Sequence, residues 1–112
     1  MTHPAAHLIG QPWPENACFA FVSEYVRNRL HAVLPGVDAV RGSEWRRVPL
    51  ASPDDVVVMQ GPQGRRHVGV WVKTPSRVGV LHAHGTVRFE TLHTLQSHGY
   101  GKFEFWRHHG AA

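Results

Sequence analysis

The sequence predicts an α+β domain in which one N-terminal helix packs on an antiparallel β-sheet. Three observations predict it. Apolar residues recur at helical spacing from Cys18 to about Val33. After residue 55 the chain changes to short β-branched and aromatic runs. The segments between those runs are rich in Gly, Pro, Ser and Thr, and short enough for hairpins.

Gly10 to Glu15 contains Pro12 and Pro14 and reads as a rigid approach segment. Asn16 is a suitable helix N-cap, because its side chain can accept from a free backbone N–H. In the helix, Val22, Tyr25, Val26, Leu30 and Val33 make one apolar face, with Arg29 a polar break. Leu34-Pro35-Gly36 ends it. Val37 to Pro53 reads as loop, with Trp45 as an anchor.

Val56 to Met59 is a short apolar strand and Gly61-Pro62-Gln63-Gly64 a turn. His67 to Val72 is a strand with valine at alternate positions. Thr74-Pro75-Ser76-Arg77 is a second turn, Val78 to Ala83 a strand, and Thr86 to Phe89 another. Thr91 to His98 suits a short helix with Gly99 as its C′ residue, and Lys102 to Trp106 closes the chain with an alternating strand.

The chain of 112 residues suits a single domain over 1–112, and a 42% hydrophobic content excludes a disordered polymer. No apolar run approaches the ~18 residues a membrane span needs, and the first residues lack the pattern of a signal peptide. The formal charge is +4 and unevenly placed: residues 56–112 hold seven Lys/Arg against two acids, and residues 1–55 five against six. A basic half suits an anionic partner such as nucleic acid or cell-wall polymer, although an ordinary solvated surface has the same composition.

The single cysteine excludes an internal disulfide. A buried cysteine acting as a small hydrophobe is the bland reading of Cys18. Its position argues for more, because the free N–H groups and dipole at a helix start favour a thiolate and can hold an oxyanion. A thiolate needs a base, and the base an orienter. A symmetric hairpin centred between Thr74 and Pro75 sets His67 directly opposite His82, on one face of adjacent strands. One imidazole can then take the cysteine proton while the other fixes its tautomer. The chain has ten histidines, so coincidence competes with this reading. His82-Ala83-His84 is a weak metal-ligand signature with no second ligand pair in view, and His108-His109 reads as an exposed tail. A water-activating zinc on Cys18, His67 and His82 would need a separate general base, and no nearby glutamate is apparent in the strands; Asp54-Asp55 sit at a turn where adjacent side chains diverge.

At these residues the chain resembles the NlpC/P-sixty family of papain-like cell-wall peptidases, and most of all its short phage-tail-type members. The matching pieces are Gly10-Gln11-Pro12-Trp13, Asn16-Ala17-Cys18-Phe19-Ala20-Phe21-Val22, Leu34-Pro35 and Pro53-Asp54-Asp55-Val56-Val57. They continue with His67-Val68-Gly69-Val70, Val80-Leu81-His82-Ala83 and Phe105-Trp106-Arg107. Each is weak alone; their order and spacing are specific.

The resemblance implies a papain-like fold with Cys18 as nucleophile, His67 as base and His82 as the orienting third residue. Asp55 takes a structural place at a turn. Trp13 stands where many members carry a tyrosine close to the nucleophile, which makes it a substrate-binding candidate. The family's Asp before the cysteine and Ser-Gly after it are replaced by Ala17, Phe19 and Ala20. The implied substrate is the stem peptide of peptidoglycan, with no cofactor and no metal. The implied carrier is a phage or phage-like tail, with other tail proteins as partners, or delivery to the periplasm. The alternatives are an inactive tail-assembly or binding module of the same fold, a secreted antibacterial amidase toxin, and a basic nucleic-acid-binding domain. The last has thin support, because only Trp71 and Lys73 interleave aromatic and basic character on one face.

Overall fold

The computed structural model describes residues 3–15, 17–34 and 44–109. One 13-residue helix packs on a six-stranded antiparallel sheet, as the periodicities predict. The strands are β1 (Pro12–Trp13), β2 (Trp45–Val48), β3 (Val56–Gln60), β4 (Arg66–Lys73), β5 (Val78–Glu90) and β6 (Gly101–His108). Their order across the sheet is β1-β5-β4-β3-β6-β2. Helix α1 is Cys18–Leu30 and helix α2 is Leu92–Ser97.

Alternation along the strands sorts the core into two layers. Val56, Val58, Val68, Val70, Val72, Leu81 and Ala83 meet Phe21, Val22, Tyr25 and Val26 of α1. The intervening residues Val57, Met59 and Val80 meet Leu95 of α2 on the opposite face. All of these side chains are less than a tenth exposed, so each Val, Leu, Met and Phe among them contributes on the order of 1.5–3 kcal/mol of burial.

Several boundaries differ from expectation. α1 stops at Leu30 because His31 turns left-handed, with φ 52°, and its N–H bonds Arg27 O at 3.1 Å. Val33 therefore lies beyond the helix and is 74% exposed, not on its apolar face. The expected N-cap Asn16 and the stop at Pro35-Gly36 fall outside the described residues, as does the loop over 37–43. The position preceding the helix is Ala17, which offers no side-chain cap. Arg29, the polar break, reaches Asp54 at 3.3 Å.

The stretch expected to be loop contains β2. Trp45 anchors it as predicted, buried, with its indole N–H donating to Val33 O at 3.1 Å. β2 escapes local reading because Arg46 and Arg47 interrupt its pattern and its partner is β6, at the far end of the chain. His108, expected in an exposed tail, is a β6 residue whose ring stands edge-on to Trp45 at 5.1 Å.

The two strands expected at Val78 to Ala83 and Thr86 to Phe89 form one strand, β5. Fully extended, its 13 residues would span about 43 Å, more than the 36 Å of the longest molecular axis. Gly85, at φ 74°, is where it bends. Past the bend β5 pairs with β1, and it returns so closely that a Cβ on Gly79 would lie 2.8 Å from Glu90 O.

The β4–β5 hairpin also departs from expectation. All four residues Thr74 to Arg77 form the loop, closed by Thr74 N donating to Arg77 O at 2.8 Å and Arg77 N donating to Thr74 Oγ1 at 3.1 Å. The hairpin is thus centred between Pro75 and Ser76, pairing Lys73 with Val78 and Val70 with Leu81. Continuing that register, His82 falls opposite Gly69, and His67 is its diagonal neighbour rather than its direct partner.

Candidate active site

The diagonal placement still brings the two imidazoles together. His67 Nε2 and His82 Nδ1 are 2.9 Å apart, with the rings nearly perpendicular at 87°. Gly69 makes this possible, since a Cβ there would come within 3.1 Å of His82 Cβ and 2.4 Å of Val80 Cγ1. Both rings share the sheet face of Met59 and Val80. His67 pairs directly with Met59 across β3–β4. Two histidines side by side on an inner sheet face, 6% and 1% exposed, would be costly without partners.

The partner of His82 is Glu90, which the sequence did not suggest. Glu90 Oε1 is 2.9 Å from His82 Nε2, and Glu90 Oε2 is 3.3 Å from Nδ1 of the half-exposed His98. Glu90 lies eight residues along the same strand, too far to reach His82 if β5 were straight. The bend at Gly85 returns it. The glycine in His84-Gly85-Thr86 was the available signal, because an isolated glycine inside a strand pattern marks a bend or bulge.

Tyr100, just before β6, completes the surroundings. Its ring centroid is 5.2 Å from that of His67 and 6.2 Å from that of His82. Burial raises its phenol pKa, Arg88 opposes the rise, and the charges of Glu90 and Cys18 add to it. Tyr100 also forms a wall of a cleft of about 300 Å³ with Gln60, Gly61, Gln96 and Lys102.

Burial, ahead of the charges of His82 and His84, pushes His67 down to about 3. His82 is lowered too, again chiefly by burial, with its hydrogen bond to Glu90 opposing the shift. Both rings are neutral at neutral pH, and each then offers one donor and one acceptor nitrogen.

Cys18 is the first residue of α1, as expected, partly buried and packed against the α1-side core. There the first backbone N–H groups lack helical partners and the dipole is positive. Among the described residues its sulfur has no hydrogen-bond partner and does not contact either imidazole by hydrogen bond. Trp13 lies in β1 beside it, but its indole N–H donates to Ala17 O at 2.8 Å and its ring stands edge-on to Phe21 at 5.2 Å. Only the ring surface of Trp13 is left to contact a ligand. It lines a cleft of about 330 Å³ with Leu8, Phe21, Tyr25 and Arg29, along the flank of α1.

Asp54 and Asp55 diverge as expected. Asp54 accepts from Tyr25 Oη at 2.6 Å, and Asp55 forms a bidentate pair with Arg107 at 2.9 Å to each oxygen and accepts from Ser52 N at 2.7 Å. Asp55 is 1% exposed, so this pair ties the start of β3 to β6 in a structural role. His84 is exposed, its ring 6.3 Å from that of His67. Among the described residues no group of three or more His, Cys, Asp or Glu side chains is placed to hold a metal ion, and no helix is long and apolar enough to cross a membrane.

No family model matches the chain, and no curated protein or solved structure is significantly similar to it.

Proposed function

We propose that the chain is a cysteine peptidase of the papain-like NlpC type that cleaves the stem peptides of peptidoglycan. The single observation that carries this reading is the buried His67–His82 hydrogen bond, on strands whose opposite face packs against a helix whose first residue is Cys18. The order of the resembling sequence pieces supports it.

In this mechanism the Cys18 proton passes to the unengaged Nδ1 of His67 as the sulfur attacks the scissile carbonyl carbon. Burial makes His67 a poor base by itself, so the imidazolium persists only beside the thiolate or the oxyanion that replaces it. The N–H groups at the start of α1 donate to the oxyanion. Collapse of the tetrahedral intermediate transfers the proton to the leaving amine and leaves a thioester on Cys18. Water, deprotonated by the same nitrogen, then releases the acid. A basic second half of the chain suits an anionic wall polymer, and a phage or phage-like tail suits a hydrolase that must be delivered to it.

The second reading is a binding or assembly module that keeps this fold without turnover. The absence of a hydrogen bond between Cys18 and either imidazole favours it. The test is digestion of purified peptidoglycan with mass analysis of the fragments, beside a Cys18→Ala control. Stem-peptide fragments that vanish in the control, resist EDTA and are lost on thiol alkylation support the peptidase. Disaccharides released with intact stems, or no products together with an unreactive thiol, overturn it.

A further inference from the structure

We infer that Glu90 is a positioning residue of this site, the third member of a hydrogen-bonded chain that fixes which nitrogen of His67 is the base. The inference rests on the peptidase reading and adds to it a residue outside the Cys-His-His set.

A carboxylate can only accept, so Glu90 Oε1, at 2.9 Å, requires the proton of His82 to be on Nε2. In the neutral ring Nδ1 of His82 is then the bare nitrogen and can only accept. Its neighbour at 2.9 Å is His67 Nε2, which must therefore carry the proton of that ring. The nitrogen left bare on His67 is Nδ1. One carboxylate thus sets two tautomers in series, and the outcome at its far end is a lone pair on the side of His67 away from His82. Without Glu90, His82 can protonate on either nitrogen. Half of the resulting arrangements would turn Nε2 of His67 into the bare atom and leave Nδ1 blocked by a proton.

The placement of Glu90 is built rather than incidental. Its carboxylate is only 11% exposed. It is returned to His82 by the positive φ of Gly85, and its carbonyl packs where Gly79 lacks a side chain. Its second oxygen is held by His98, at the end of α2. Thr91 caps that helix by accepting from Thr94 N at 3.1 Å, which fixes the turn following Glu90.

The test reads the tautomers directly and does not depend on activity. Long-range proton–nitrogen correlation spectra of the ¹⁵N-histidine-labelled full chain should show His82 and His67 each protonated on Nε2 alone. Glu90→Leu should mix the tautomers of both rings and lower kcat at least tenfold with KM within twofold. Glu90→Gln, whose amide oxygen can still accept, should recover part of both effects. A wild-type His82 protonated on Nδ1 overturns the inference even if the Leu variant fails to fold. So does a Glu90→Leu protein whose two tautomers match the wild type. Failure of the peptidase reading looks different: wild-type protein would yield no stem-peptide products while the tautomers remain as stated.

Discussion

The two faces of the central strands are built from alternate residues of the same short segments, yet they hold opposite kinds of contact. Toward α1, β4 and β5 present Val68, Val70, Val72, Leu81 and Ala83, an apolar layer closed by the helix. Toward α2 the same strands present His67, Gly69, Trp71, Val80 and His82, a layer in which two imidazoles and a carboxylate are sealed among apolar groups. The first layer stabilises through area removed from water. The second contains polar groups that are tolerated because, among the described residues, no side-chain nitrogen or oxygen fully shut off from solvent lacks a partner. A polar network held one residue out of phase with an ordinary core is what marks this face as the candidate site.

The largest effects should come from truncating one residue on each face. In the proposed peptidase, His67→Ala should lower turnover by on the order of a thousandfold, as removal of a general base does, and should lower the midpoint of urea unfolding less than Leu81→Ala does, since it strips His82 Nδ1 of a partner without opening the apolar core. Leu81→Ala should do the reverse, costing about 2–5 kcal/mol in the same unfolding measurement with the per-molecule rate of the folded fraction unchanged. Equal loss of stability in both variants would remove the functional distinction between the faces.

Gly69→Ala probes where the faces meet. Its Cβ would sit against Val80 Cγ1, Leu81 O and His82 Cβ at 2.4, 3.0 and 3.1 Å, a conflict that includes backbone. Overpacking of this kind costs about 1–3 kcal/mol and should push the His82 ring off its partner. Calorimetry and the imidazole spectra should change together. A destabilised protein with an unaltered His67–His82 pair would show that Gly69 serves packing alone.

The smallest expected effect is a pH limb specific to the polar face. His67 is lowered from an ordinary 6.5 to about 3 in the folded chain, and His82 is lowered as well. Between those values the unfolded chain binds protons that the folded chain refuses, so stability must fall as pH falls. The contribution is complete above about pH 6.5, declines below it, and levels off near pH 3. Unfolding at pH 7 and at pH 5 should therefore differ by roughly 1–2 kcal/mol, and His67→Gln should shrink the difference. A limb unchanged by that substitution would mean that other groups set the acid stability.

How much of this was legible in the chain depends on sequence distance. Val56 to Met59 and His67 to Val72 announced themselves by composition and alternation, and Thr91 to Gly99 by its cap and its terminal glycine. The hairpin register was misjudged because Thr74 and Arg77 close the loop rather than extend the strands, a matter of two hydrogen bonds that composition does not display. His67 and His82 still met, since a shift of two residues preserves the face. Long-range partners were beyond reach. Asp55 gave no sign of Arg107, 52 residues away, and nothing local marked Trp45 to Val48 as the neighbour of the last strand. Glu90 was missed for a different reason: its partner is close in sequence, but only a bent strand brings the two together.

That bend also bears on the order in which the molecule can assemble. Glu90 is eight residues from His82, and His82 fifteen from His67, whereas Cys18 precedes His67 by forty-nine positions. Closing the longest of these loops costs about 1.5 kcal/mol more chain entropy than closing the shortest. The acid and the two imidazoles can therefore come together within a single β-hairpin and the turn that follows it, with few distant contacts to wait for. The thiol arrives only when the N-terminal helix docks from across the chain. On the proposed peptidase reading, a partly folded molecule of this kind would hold its base before its nucleophile and gain activity only once the helix had docked.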